Sequence, residues 1–351
     1  MTPRRRTGRV VPVALAIAVS AAGPVRAEPA NARAGSTIRL AAIAPADDAR
    51  RAIVIGAGGE VYEPDGKGAW VHRLPSSTAD RLVAAGRAGG PGSAVVALGD
   101  GVVYRLAGNG WSAIRLAQKG KAILGSGARS LAAVGRQLFA LDGLTRGEPT
   151  KLALAPGNIL AIGAGARGAV IATDGGTLRF DGKALVALEG APARMRLVSD
   201  RWAIVDRGAF DLGALPPEAK INAKINAKTG AKGPKSAKSA RAIARAAASV
   251  VPWPAGVTIG VATVAPDGAL VAIGSTRTGL ELVALRGGKL ARDPLGVTGT
   301  AVGVAVDRAG RAAVALSDGR IAVRDKAGWT TTEVTDDAAP EHPGAPPATS
   351  N

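Results

Sequence analysis

No cysteine occurs among the 351 residues. That excludes a disulfide framework, a thiolate nucleophile, thiolate zinc or iron–sulfur ligation, and the lipid-modified cysteine of a lipoprotein. Histidine is nearly as scarce, with His72 and His342 alone, so imidazole-based metal or triad chemistry has little to draw on. Aromatics make up only 3% of the chain. Long apolar runs are missing too. The run Val10 to Ala22 falls short of the roughly 20 residues that span a bilayer as a helix.

The chain does have apolar and glycine content: 47% hydrophobic residues, 48 glycines and 22 prolines. This is too apolar for general disorder, and the glycines follow no three-residue period, which excludes a collagen. The length suits one large domain or two ordinary ones. The net charge of +18 is concentrated. Five arginines and no acid lie in the first 27 residues, and eight cations and no acid lie between 220 and 245, leaving a mildly basic remainder.

Residues 1–27 follow the layout of a secretory signal peptide: basic Arg4 to Arg9, apolar Val10 to Ala22, and small-residue Val25-Arg26-Ala27. Cleavage is expected after Ala27, with an uncleaved anchor as the alternative. Arg4 to Arg6 touch on twin-arginine export, but the rest of that motif is absent. The mature chain is expected in the periplasm or outside the cell, as a monomer without a transmembrane segment.

Self-comparison brings out a repeat of about forty residues. GGEVYEPDGKGAW (58–70), GDGVVYRLAGNGW (99–111), GGTLRFDGKAL (175–185) and SDGRIAVRDKAGW (317–329) share a glycine, an apolar residue two later, a second turn and a large apolar residue. Anchoring on Gly59, Gly101, Arg136, Gly176, Gly208, Gly279 and Gly319 gives intervals of 42, 35, 40, 32, 71 and 40. Only the 71 is anomalous, and it contains the lysine-rich stretch. Each unit reads as short Val/Ile/Leu/Ala strands bounded by Gly, Asp or Asn, with Asp-Gly pairs suited to tight hairpins.

Four antiparallel strands repeated seven times predict an all-β chain, a β-propeller over residues 37–335, with six blades or an irregular ring as the alternative. One four-stranded sheet cannot bury both faces alone, whereas radially stacked sheets bury each face against a neighbour. Unit five matches poorly, lacking an obvious fourth strand. The turn–strand–turn–Trp pattern resembles the repeat of secreted bacterial β-propellers of the broad sialidase-like and WD-repeat-like assemblage. That resemblance implies the fold and leaves function open, since propellers host binding scaffolds and unrelated enzymes alike.

A basic Ala/Lys-rich insert, 216–250, interrupts unit five. Lys220, Lys224, Lys228, Lys232, Lys235, Lys238, Arg241 and Arg245 recur every three or four residues and form the candidate polyanion contact. Anionic lipid, lipopolysaccharide and acidic polysaccharide are the candidate partners. Nucleic acid is disfavoured, because no aromatic interleaves the lysines to stack on bases. The plainer reading is a solvated loop. Residues 28–36 read as a linker and 336–351 as a Pro-rich tail that holds His342. His72 reads as a surface or packing residue.

No catalytic, metal or cofactor set emerges. Tyr62 and Tyr104 fall at equivalent repeat positions, which argues packing rather than a sialidase-like nucleophile. ATDGGTLRF (172–180) lacks the serine and aromatic spacing of an aspartate box, and no quinone-docking tryptophan motif is found. Asp267, Asp307 and Asp318 are the acids to weigh for calcium, but they sit in predicted turns that explain them. GAGARG (163–168) reads as a strand turn, since no helix follows it. The function expected is an exported non-catalytic scaffold for a protein or glycan at the bacterial envelope. The alternative is a hydrolase or lyase with its site in the central funnel.

Overall fold

The computed structural model describes residues 38–44, 52–57, 60–64, 70–72, 82–87, 94–98, 102–107, 110–116, 120–127, 131–141, 149–165, 168–192, 194–215 and 250–335. All belong to one compact unit, Ala32–Asn351. The expected signal peptide, linker, insert cations and C-terminal tail lie outside the described residues.

The chain is an all-β propeller. Among the described residues its strands form seven sheets, six of four strands and one of five. In sequence order the blades span residues 40–72, 82–115, 122–154, 159–187, 196–252, 258–294 and 301–333. Within each, consecutive strands pair antiparallel from the inside out. The fifth strand of blade 4 is Ser126–Gly127, which leaves the inner end of blade 3 and pairs parallel with Gly163 and Ala164. No α-helix occurs among the described residues.

The repeated sequence pattern maps onto the outer half of each blade. Its anchor is the turn into the third strand: Gly176 opens Gly176–Phe180, Gly208 opens Gly208–Asp211 and Gly279 opens Gly279–Arg286. The large apolar residue that closes the pattern falls at the start of the fourth strand, as Trp70 does in Trp70–His72 and Trp329 in Gly328–Glu333.

Burial follows radius. Second strands such as Leu131–Val134 and Ala312–Leu316 are buried throughout, because both faces meet a neighbouring blade; they therefore read as continuous apolar runs. Outer strands such as Thr150–Leu154 and Lys289–Pro294 contain only exposed and half-buried residues. Among the described residues the apolar core is accordingly divided into clusters that lie between neighbouring blades. Ile171 and Phe180 pack with Leu131 and Leu138 between blades 3 and 4, and Leu282 packs with Val304 and Val314 between blades 6 and 7. Inner strands are rich in alanine and glycine because neighbouring backbones nearly touch there. A Cβ at Gly163 would overlap the carbonyl oxygen of Ser199 in the next blade.

The ring closes between blades built from opposite ends of the unit. Leu40, Ile43, Val54 and Trp70 of blade 1 pack against Ala305, Ala313, Ala315 and Ile321 of blade 7. The Ile38 N–H donates to the Val334 carbonyl at 3.2 Å. Both sheets keep their own four consecutive strands, so closure is by face packing.

Blade 5 explains the poor match of unit five. Its inner strand is only Arg196–Leu197, and its outer strand, Val250–Pro252, begins at the last residue assigned to the insert, so Val250 belongs to the blade. The sequence hides this fourth strand because a long basic segment separates it from the third.

Candidate functional site

The inner strands line the axis of the ring, and their composition decides what the axis can do. None of them carries an acid. Five of them, in blades 1, 2, 4, 6 and 7, carry a one-residue bulge against the second strand, at Ala41, Val83, Leu160, Gly260 and Val302. A bulge disrupts the exposed inner edge and re-aims backbone groups. Arg196 is the one cation with a described side chain on these strands. Its Nη1 donates to the carbonyl of Gly260, the bulged residue of the next blade. Crowding by surrounding protein lowers its pKa from the usual guanidinium range without removing the charge at neutral pH.

The turns on one side of the ring, from first to second and from third to fourth strands, form a second region. The basic insert leaves from this side of blade 5, between Gly208–Asp211 and Val250–Pro252. Its point of departure is pinned. Asp211 caps the short 3-10 turn Leu212–Ala214 by accepting from the Gly213 N–H at 2.9 Å, and it pairs with Arg201 at 3.1 Å. Arg179 of blade 4 donates to the Leu212 carbonyl at 2.7 Å. Asp200, in the adjacent turn, has its carboxyl pushed above the ordinary range by burial, against the pull of Arg179 and Arg201.

On the same side, a cleft of about 430 Å³ opens between blades 6 and 7. Arg286, Arg292, Arg308 and Arg324 line it, with Asp267, Asp293 and Asp307. Three arginines are held by carboxylates: Arg286 by Asp267, Arg324 by Asp293 across the two blades, and Arg292 by buried Glu281 through bonds of 2.7 to 3.1 Å. Asp307 is fully buried and accepts from the backbone N–H and Nε of Arg311 at 2.9 and 2.7 Å.

The acids weighed for calcium do not converge. Asp267 and Asp307 sit in first-to-second turns of blades 6 and 7, and Asp318 lies in the second-to-third turn on the opposite side. Asp267 accepts from the Ala269 N–H, and Asp318 from Arg320, whose guanidinium holds its carboxyl below the usual range. No cluster of three or more metal-binding side chains occurs among the described residues. Tyr62 and Tyr104 are both buried on third strands. The GAGARG stretch ends the inner strand of blade 4 and turns toward the second. The strand that holds His72 is the outer one of blade 1. The cleft was not anticipated from sequence; its one local signal is the Asp-Arg spacing in DRAGR (307–311).

No protein-family model matches the chain, and no curated protein matches its sequence. Among solved structures, the fold is similar to the WD40 β-propeller domain of Doa1, with a TM-score of 0.53 and 11% identity over 84% of this chain and 97% of that one. It is also similar to a streptogramin B lyase, with a TM-score of 0.51 and 12% identity over 84% of this chain and 94% of that one. Identities this low concern the fold alone. No helix among the described residues is long and apolar enough to cross a membrane.

Proposed function

We propose that the protein is an exported, non-catalytic propeller that serves as a protein- or glycan-binding scaffold at the bacterial envelope, with its polybasic insert contacting anionic surfaces. The observation that carries this reading is where the insert is placed. Blade 6 passes from its third to its fourth strand through Gly287 and Gly288, whereas blade 5 makes the same passage through residues 212–249 and still forms its outer strand. The segment that holds the eight cations thus leaves and rejoins blade 5 between strands of a sheet that is complete without it. A cluster of that kind attracts anionic lipid, lipopolysaccharide or acidic polysaccharide. The acid-free inner strands add support, because a funnel that carries out hydrolysis or elimination needs an acid or base beside its substrate. For the alternative, a hydrolase or lyase working in the funnel, Arg196 is the one charged side chain described on the inner strands.

Cell fractionation with N-terminal sequencing tests the reading. The expected result is a chain beginning after Ala27, recovered with the envelope at low salt and released at high salt. A cytoplasmic chain retaining Met1 would overturn it.

A further inference from the structure

The cleft between blades 6 and 7 combines three features of a binding site. It is a cavity of about 430 Å³ within an otherwise packed interface, a size typical of small-ligand sites. Its inner wall is apolar, from Val271, Leu282, Ala284 and Ala312. Its rim alternates guanidinium and carboxylate groups. Arg308 is the exception: it is exposed at the rim and has no ion pair or hydrogen bond with another described residue. The paired arginines are held in place but not exhausted, since Arg292 spends Nε and Nη2 on Glu281 and keeps Nη1.

A second observation comes from the same interface. Trp329 lies directly opposite Arg324 in the blade 7 sheet, so their side chains share a face, and Trp329 packs into the cluster between blades 6 and 7. Its indole Nε1 is buried without an acceptor. A buried donor left unpaired is costly; Trp329 does not itself line the cleft, but it is the cross-strand neighbour of Arg324, which does.

We propose that this cleft binds an acidic sugar residue, a uronate of an anionic glycan. The proposal deepens the glycan-binding reading above and rests on it. The charges select the ligand. Asp267 and Asp293 are partly exposed at the rim, so a multiply charged phosphate or sulfate meets two carboxylates as well as the arginines. A sugar acid brings one carboxylate for Arg308, where a charge-assisted pair forms. Its hydroxyls take the spare donors of Arg292 and Arg324 and the spare lone pairs of Asp267 and Asp293. Its C–H face lies toward half-buried Ala284.

The test uses the full chain and a galacturonic acid disaccharide, with neutral galactobiose as control, followed by calorimetry and by the indole N–H resonances, Trp329 being assigned from Trp329→Phe. The expected result is saturable binding of the acidic disaccharide with a shift of the Trp329 resonance and no comparable binding of galactobiose. Arg308→Ala should weaken binding about tenfold, consistent with loss of one charge-assisted contact. Arg308→Lys should recover part of that loss, and a chain with the eight insert cations changed to glutamine should bind the disaccharide as before. Absence of binding, equal binding by Arg308→Ala, or equal binding of galactobiose would overturn the proposal, as would tighter binding of inorganic phosphate or a peptide carboxylate. If the disaccharide fails while the chain still binds anionic vesicles in a salt-sensitive way, the cleft assignment falls and the scaffold reading stands.

Discussion

Single residues in this propeller are constrained chiefly by how closely neighbouring blades approach. Gly163 abuts the Ser199 carbonyl, and a Cβ at Gly303 would lie 2.7 Å from Cγ2 of Ile43. Gly163→Ala should therefore destabilise the protein by about 1–3 kcal/mol, the usual cost of overpacking, as measured by denaturant unfolding. Two carboxylates should respond to pH in opposite directions. Asp318 is held below its ordinary 3.8 by Arg320, so its contribution is present above that value and lost as pH falls through the lower folded pKa. The loss from Asp318→Asn should be at most about 1 kcal/mol at neutral pH, as for an exposed pair, and should vanish in strong acid. Asp200 is raised by burial, so its ionised form is penalised in the fold. Asp200→Asn should raise Tm at neutral pH, and the gain should fade as pH drops through the ordinary carboxylate range. Thermal unfolding of both variants across pH checks the two signs.

At the scale of elements, legibility depended on whether partners are near in sequence. The third strand and its flanking turns recur as contiguous text, as in SDGRIAVRDKAGW, so the repeat and its anchors could be read directly. Blade 5 could not, because Phe210 and Val250 are paired neighbours separated by the insert. The parallel pairing of Ser126–Gly127 with blade 4 was equally hidden, since two residues carry no periodic signal. The cleft was invisible for the same reason: Arg324 meets Asp293 across 31 positions, and nothing local marks either as a partner. Phe210 tests whether blade 5 is an ordinary blade despite its short strands. It is 1% exposed and packs with Val170, Leu197 and Leu212. Phe210→Ala should cost about 3–5 kcal/mol, the range for a fully buried aromatic. A loss below about 1 kcal/mol would mean that blade 5 is loosely held.

For the whole molecule, the ring is closed by apolar faces between blades 1 and 7, and the proposed contact with anionic surfaces is assigned to the insert. The closing interface is the place to test the first half. Leu40 is 3% exposed and packs in the cluster shared by blades 1 and 7. Leu40→Ala should cost about 2–5 kcal/mol, and hydrogen exchange should quicken at Ala312–Leu316 of blade 7 as well as in blade 1. Faster exchange confined to blade 1 would show that closure does not couple the two.

The most direct measurement of the second half is a salt titration of binding to vesicles containing anionic lipid, with the full chain beside the variant whose eight insert cations are glutamine. Electrostatic binding through several cations should make affinity fall steeply with salt. The scaffold reading requires that steep dependence in the full chain and its near loss in the variant, with Tm unchanged between them. Equal binding and equal salt dependence in both would contradict it and leave the insert as a solvated connection.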